Sequence, residues 1–170
     1  MTASARIGIV STMAVLAGIL ATARPAGAQV LGYGIAGPAG YAGFFGSSGP
    51  AIHAAGGGEV LAGGRIGGGG EFGVLAGPSA GLFVTSANAV FHFVASQPTP
   101  IRSRLSPFAT AGYTRMSSGE GGFNAWNAGV GTDVWLKPRV GLRSELRVHV
   151  RSDERGSVEY WAIRVGVVFR

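Results

Sequence analysis

The feature that most constrains the fold is a two-residue alternation of apolar and polar side chains near the C-terminal end of the sequence. Successive side chains of a β-strand point to opposite faces, so this period predicts a strand rather than a helix. In the segment 140–151, one face is apolar apart from a serine and the other is almost wholly charged. The apolar face carries Val140, Leu142, Ser144, Leu146, Val148 and Val150, and the opposite face carries Gly141, Arg143, Glu145, Arg147, His149 and Arg151.

Similar stretches recur along the chain between groups of turn residues. An even number of antiparallel strands, with short turns at one rim and longer loops at the other, is typical of outer-membrane barrels. The sequence therefore predicts an all-β fold, an eight-stranded antiparallel up-and-down transmembrane β-barrel. The predicted strands are Val30–Ala36, Ala51–Leu61, Arg65–Leu75, Gly81–Val94, Arg102–Met116, Phe123–Leu136, Val140–Arg151 and Val158–Phe169. The predicted connections include Gly37–Pro50, a tight inner turn at Lys137–Arg139, and outer loops at Ser117–Gly122 and Ser152–Ser157.

The composition agrees with a small barrel. The chain has 170 residues, of which 31 are Gly and none is Cys. So much glycine disfavours long helices, since each Gly inside a helix costs about 1 kcal/mol relative to Ala. The lack of Cys excludes a disulfide scaffold, a cysteine metal site and a thiol nucleophile.

The first 28 residues have the pattern of a secretory signal peptide. Arg6 precedes the apolar run Ile7–Ala21, and the small residues Ala26-Gly27-Ala28 follow as a cleavage site. We therefore expect a signal peptide over 1–28 and the barrel domain over 29–170. Export argues against a nucleic-acid partner, although the formal net charge is +6.

Alternation alone does not tell which face of each strand lies inside the barrel. Two features favour a barrel with its apolar faces toward lipid and its polar faces toward a narrow lumen. Aromatic residues stand at the ends of the apolar faces, as at a membrane interface. The polar faces are rich in Gly and carry only isolated charges. Charges in such a lumen must pair. The expected arrangement is a structural ion-pair network, with a gated ion path or a substrate site as alternatives. The predicted network is Glu59, Glu71, Asp133, Arg143, Glu145, Arg147 and Arg164.

Aromatic residues on the apolar faces are expected to anchor the barrel at the membrane interface. A ligand-binding aromatic wall is the alternative. Trp135 lies on a polar face and is expected to fill the barrel near a rim. The predicted interface residues are Tyr113, Trp126, Trp161 and Phe169, with Phe83, Phe91, Phe93 and Tyr160 given the same assignment.

No motif predicts a catalytic residue, a metal site or a cofactor. His53, His92 and His149 lack metal-ligand spacing. The tracts Gly56–Gly58 and Gly67–Gly70 lack the G-K-[ST] ending of a phosphate-binding loop. A catalytic group of His149 with Ser144, Ser152 and Asp153 is a weaker hypothesis than a hydrogen-bonded histidine in the lumen, and no enzyme activity is predicted.

The C-terminal pattern Trp161-x-Ile-x-Val-x-Val-x-Phe169 resembles the assembly signal of Gram-negative outer-membrane barrels, although Arg170 follows the aromatic residue. With Gly112-Tyr113-Thr114 and Gly129-Val130-Gly131, it resembles the small outer membrane protein beta-barrel domain family, similar in layout to OmpA-like and OmpX-like transmembrane domains. The resemblance covers about residues 50–170. It implies an outer-membrane location, contact with outer-membrane lipid, and recognition by the barrel assembly machinery through Trp161–Phe169.

The expected function is that of an integral outer-membrane protein with a structural or surface-interaction role. Three alternatives stay open at this point: a soluble secreted or periplasmic barrel that binds a small apolar ligand, a narrow pore, and a lipid-modifying barrel enzyme. The sequence names no ligand or surface partner and does not determine the oligomeric state.

Overall fold

A computed structural model describes residues 28–44, 47–78, 81–95, 105–118, 121–153 and 156–170. The predicted signal peptide lies outside the described residues, apart from Ala28, with which the first strand begins. None of the described residues belongs to a helix long and apolar enough to cross a membrane. The strands are β1 (Ala28–Phe44), β2 (Ser47–Ala62), β3 (Ile66–Ala76), β4 (Gly81–His92), β5 (Leu105–Ser118), β6 (Gly121–Lys137), β7 (Val140–Asp153) and β8 (Gly156–Phe169).

The eight strands form a closed antiparallel barrel. Each strand pairs with the next one along the chain, and β8 pairs with β1 to close the sheet. The near end is defined here as the rim where β1 begins and β8 ends, and the far end is the opposite rim. The predicted fold class is therefore confirmed, including its number of strands and its up-and-down order.

The expected connection Gly37–Pro50 is wrong, because most of it is strand. β1 continues to Phe44 and β2 begins at Ser47. Pro38 pairs with Ile52 of β2, whereas Gly37 and Pro38 have no partner in the register of β1 with β8. Proline cannot donate a backbone hydrogen bond, and the ladder on one side of β1 is interrupted at that point. Glycine and proline predicted a turn here, but pairing with β2 keeps the segment extended.

The predicted contrast between short inner turns and long outer loops is also wrong. Residues 45–46, 77–80, 119–120 and 154–155 connect the strands at the far end, so no connection there exceeds four residues. The expected loops are mostly strand, since Ser117 pairs with Gly122 and Ser152 pairs with Ser157. The longest interval between strands, residues 93–104, separates β4 from β5 at the near end. The predicted start of a strand at Arg102 lies outside the described residues, and the described part of β5 begins at Leu105.

The apolar faces point outward. On β7, Leu142, Leu146 and Val148 are exposed, whereas Arg143 and Arg147 are each 2% exposed. The same alternation holds on β8, where Ile163 and Val165 are exposed and Arg164 is buried. This is the reverse of a water-soluble barrel and the arrangement expected of one surrounded by lipid.

Aromatic side chains cover glycines where β8 closes against β1. Phe169 pairs with Gly32 and Trp161 pairs with Gly40. A Cβ atom at Gly40 would lie 2.7 Å from the Trp161 ring, so the indole rests directly on the backbone of β1. An aromatic ring over a glycine replaces the packing that the missing side chain would give, and such pairs help to fix strand register.

Candidate functional site: an ion-paired lumen

The first group of lumen charges is built around Arg143 on β7. Its Nη1 atom donates to Glu59 Oε1 at 2.6 Å, and its Nε atom donates to Asp133 Oδ1 at 2.7 Å. The guanidinium carbon lies 4.5 Å from the ring centroids of both Tyr33 and Phe108. One arginine thus bridges two carboxylates between two aromatic faces, where charge-assisted bonds and cation–π contacts offset its desolvation.

The second group is a ring of alternating charges. Arg164 donates to Glu71 Oε1 and to Glu145 Oε2, both at 2.7 Å. Arg147 donates to Glu145 Oε1 through Nε at 2.7 Å, and its Nη1 atom lies 3.5 Å from Glu71 Oε1. Each charge in the ring is therefore flanked by two charges of opposite sign. An ion buried alone costs several kcal/mol, and the ring avoids this cost because every charge has neighbours of opposite sign. Removing one partner of a buried ion pair typically destabilises a protein by about 3–5 kcal/mol.

Tyr33 connects the two groups. Its hydroxyl donates to Glu71 Oε2 at 3.2 Å, while its ring packs on Arg143. His92 extends the first group, with Nδ1 2.9 Å from Ser106 Oγ and Nε2 3.4 Å from Glu59 Oε2. The network is consequently continuous across the lumen, because the ring of Tyr33 contacts the first group and its hydroxyl contacts the second.

A layer of uncharged polar side chains lies toward the far end. Thr114 Oγ1 accepts from Asn127 Nδ2 at 3.0 Å and lies 2.8 Å from Ser86 Oγ and 3.1 Å from His149 Nδ1. The His149 ring stacks on Tyr160 at a centroid distance of 4.8 Å. The sequence predicted no role in the lumen site for Thr114, Ser86 or Asn127. Their positions on the polar faces of their strands could have indicated that they face the lumen. An uncharged side chain can be buried without an ion-pair partner, however, so the sequence alone gave no reason to group them.

Two apolar clusters fill the lumen at either side of these polar groups. The cluster toward the near end contains Leu31, Tyr33, Ile35, Leu61, Val90, Trp135 and Val168. The cluster toward the far end contains Ala39, Ala51, Leu75, Val84, Met116, Tyr160 and Ala162. Trp135 lies inside the barrel near a rim, as expected. Tyr160 was assigned to the membrane interface, and this is wrong, because it is 1% exposed and points into the lumen.

All seven residues of the proposed network are buried in the lumen, and each ion-pairs with at least one other member. Four carboxylates therefore face three guanidinium groups. The four aromatic residues assigned to the membrane interface, Tyr113, Trp126, Trp161 and Phe169, lie exposed on the outer surface. Tyr113 and Trp126 contact each other edge to face at 5.1 Å.

The structure separates His149 from Ser144, one member of the hypothetical catalytic group, whereas the side chains of Ser152 and Asp153 lie outside the described residues. Ser144 is exposed on the outer face of β7, whereas His149 is buried on the lumen face. The two side chains therefore lie on opposite faces of one strand. Among the described residues, no group of three His, Cys, Asp or Glu side chains is placed to hold a metal ion.

The closed sheet, the apolar outer surface and the ion-paired interior define a transmembrane β-barrel of the smallest common size. The soluble-barrel alternative requires the opposite placement of the two faces. No protein-family model matches the sequence, and no curated protein matches it.

Solved structures of small transmembrane barrels share the fold. Neisserial surface protein A (NspA) superposes with a TM-score of 0.63 at 14% identity, covering 84% of this chain and 98% of that one. The N-terminal β-barrel domain of Pseudomonas aeruginosa OprF gives 0.59 at 16% identity, covering 82% and 96%. A de novo designed transmembrane β-barrel gives 0.55 at 12% identity, covering 86% and 97%. At these identities the likeness establishes the fold alone, and it confirms the resemblance to eight-stranded outer-membrane barrels at that level.

Proposed function

We propose that this chain is an integral outer-membrane β-barrel with a structural or surface-interaction role and a lumen that does not conduct. The single observation that carries the proposal is the burial of the lumen charges. Arg143 and Arg147 are 2% exposed and Arg164 is 0% exposed. Ion-selective pores keep their charged rings in contact with water, whereas here each guanidinium is buried and paired with carboxylates, and the apolar clusters lie on both sides of the network.

The short far-end connections favour the structural role over one based on mobile binding loops. Any surface contact would be made by the rigid strand ends, such as the segments Thr114–Ser118 and Gly121–Ala125 beyond the aromatic pair Tyr113 and Trp126. Under this proposal lipid contacts the outer surface. The assembly machinery recognises β8 through Trp161–Phe169, which stays a prediction from the resemblance.

The proposal is tested by locating the protein and measuring its conductance. We expect the expressed protein to fractionate with outer membranes and to migrate differently on gels before and after heating. In planar bilayers we expect negligible conductance from the wild type. The double variant Arg143→Gln, Arg147→Gln serves as the comparison, because it removes two of the three lumen cations while leaving the apolar clusters in place.

A steady wild-type conductance that changes in the double variant would favour the narrow pore instead. Recovery of the wild type in a soluble fraction without detergent would contradict the outer-membrane location.

A further inference from the structure

We propose that the near end of the barrel carries a basic collar that binds the phosphate groups of anionic phospholipids in the adjoining membrane leaflet. The collar consists of Arg65 in the β2–β3 turn, Lys137 and Arg139 at the β6–β7 turn, and Arg170 after β8. This inference rests on the proposed membrane location and adds a preferred class of lipid to it.

The collar lies at the depth of lipid headgroups. Each of its cations is adjacent along the chain to an exposed apolar residue of the outer surface: Arg65 to Ile66, Lys137 to Leu136, Arg139 to Val140, and Arg170 to Phe169. Those four apolar residues are between 44% and 61% exposed. Basic side chains at the edge of an apolar band reach the interface with their charged ends while their stems stay against apolar surface.

The charge at this rim is of one sign in the described part of the chain. Five acidic side chains are described, and Glu59, Glu71, Asp133 and Glu145 are buried in the lumen. The fifth, Glu159, is exposed but lies at the far end, where it accompanies Arg115 and Arg151. The far end thus presents both signs of charge, whereas the near end presents three exposed cations, Arg65, Lys137 and Arg139, beside the half-buried Arg170, and no exposed carboxylate among the described side chains. A phosphate-bearing surface is the complementary partner.

Backbone and ring contacts fix the part of the collar formed by the β6–β7 turn and Arg170. The Arg170 backbone N–H donates to the Arg139 carbonyl oxygen at 3.1 Å, and Arg170 Nε donates to the Pro138 carbonyl oxygen at 2.7 Å. The Arg170 guanidinium lies 4.0 Å from the Trp135 ring centroid. These contacts hold the β6–β7 turn against the end of β8. Lys137 and Arg139 are therefore presented together from a fixed turn, which lowers the ordering cost of binding a headgroup between them.

The test compares lipid selectivity in vesicles of phosphatidylcholine that contain either spin-labelled phosphatidylglycerol or spin-labelled phosphatidylcholine. The motionally restricted fraction of each label reports the lipid in contact with the barrel. The variant Lys137→Gln, Arg139→Gln removes two collar cations, and Arg115→Gln, Arg151→Gln is the matched control at the far end. For the wild type we expect preferential association of the anionic lipid. Each cation near a membrane surface contributes roughly fivefold to such binding, so the collar variant should lose most of the preference and the control should keep it.

Equal selectivity of the wild type and the collar variant would overturn the inference, as would an equal loss in the far-end control. Displacement of the labelled phosphatidylglycerol by millimolar glycerol phosphate would also overturn it, because that result assigns the cations to a free anion. The gel-migration assay separates the two proposals. A barrel that never inserts into the vesicles contradicts the proposed function, whereas an inserted barrel without lipid selectivity contradicts the collar alone.

Discussion

Among individual residues, Arg143 has the most demanding surroundings. It is the only guanidinium in the described lumen that pairs with both Glu59 and Asp133, and it lies between two aromatic rings. The Nη2 atom adds bonds of 3.2 Å to Glu59 and 2.9 Å to Asp133. A planar group with several fixed donors is needed for this geometry, which a lysine ammonium cannot reproduce.

Replacing Arg143 with Met should destabilise the barrel by about 3–5 kcal/mol, because it leaves two carboxylates buried without a cation. Urea unfolding in lipid vesicles, followed by tryptophan fluorescence, measures this change. Arg115→Gln is the control, since Arg115 is exposed and bonds Asn124 at 3.2 Å, and its loss should cost no more than about 1 kcal/mol. Combining Arg143→Met with Glu59→Gln and Asp133→Asn should recover part of the lost stability. A cost below about 1 kcal/mol for the single variant would show that the pairs are not desolvated in the membrane.

At the level of the strands, glycines divide into two groups by the face they occupy. Gly57 of β2 faces the lumen, where an added Cβ would lie 2.5 Å from the Tyr33 ring. Gly68 of β3 faces outward, and the nearest atom to its added Cβ would be the Asn88 carbonyl oxygen at 3.6 Å. The lumen glycines leave the volume that the long charged and aromatic side chains occupy.

These two positions give a matched test of that difference. Gly57→Ala should destabilise the barrel by about 1–3 kcal/mol, because the new methyl group would lie 2.5 Å from the Gly70 carbonyl oxygen and would displace the Tyr33 side chain from Arg143 and Glu71. Gly68→Ala should change the free energy of unfolding by less than about 0.5 kcal/mol, since its methyl group enters open space on the lipid side. Both are measured by the same urea titration. Similar effects at the two positions would contradict the lumen-packing account of glycine.

For the whole molecule, the up-and-down order places all strand connections at one of two rims. Lys137 is exposed at the near end and Ser118 is exposed at the far end. The sequence predicts an inner turn at Lys137–Arg139, so we expect the far end to face the exterior and only that rim to be reachable from outside an intact cell. Because the natural chain contains no Cys, thiol labelling of a single cysteine introduced at either position has no background from native cysteines.

We expect a membrane-impermeant maleimide to label Ser118→Cys in intact cells and to leave Lys137→Cys unmodified. Permeabilising the outer membrane should make Lys137→Cys reactive as well, which controls for its accessibility. Labelling of Lys137→Cys alone in intact cells would contradict this expectation and show that the near end faces the exterior.

The local alternation of side chains determined the number of strands, their approximate centres and the composition of each face. It could do so because the two-residue period is a property of a single strand. Over residues 140–150 of β7, the burial pattern follows that period residue by residue. Strand ends were less accurate, since the Gly, Pro and Ser residues at 37–44, 47–50, 117–118 and 121–122 resemble turns, yet most of them continue the ladder when a neighbouring strand is present to pair with them.

Only the tertiary structure decided which face lies inside and which charges meet. Arg143 and Glu59 are 84 positions apart, and Arg164 and Glu71 are 93 apart. Their contacts depend on the closure of β1 against β8, on the stagger of the strands and on side chains that reach across the lumen. The sequence alone placed the seven charged residues on the polar faces of their strands. Closing the sheet into a narrow barrel brought them within bonding distance and excluded water around them.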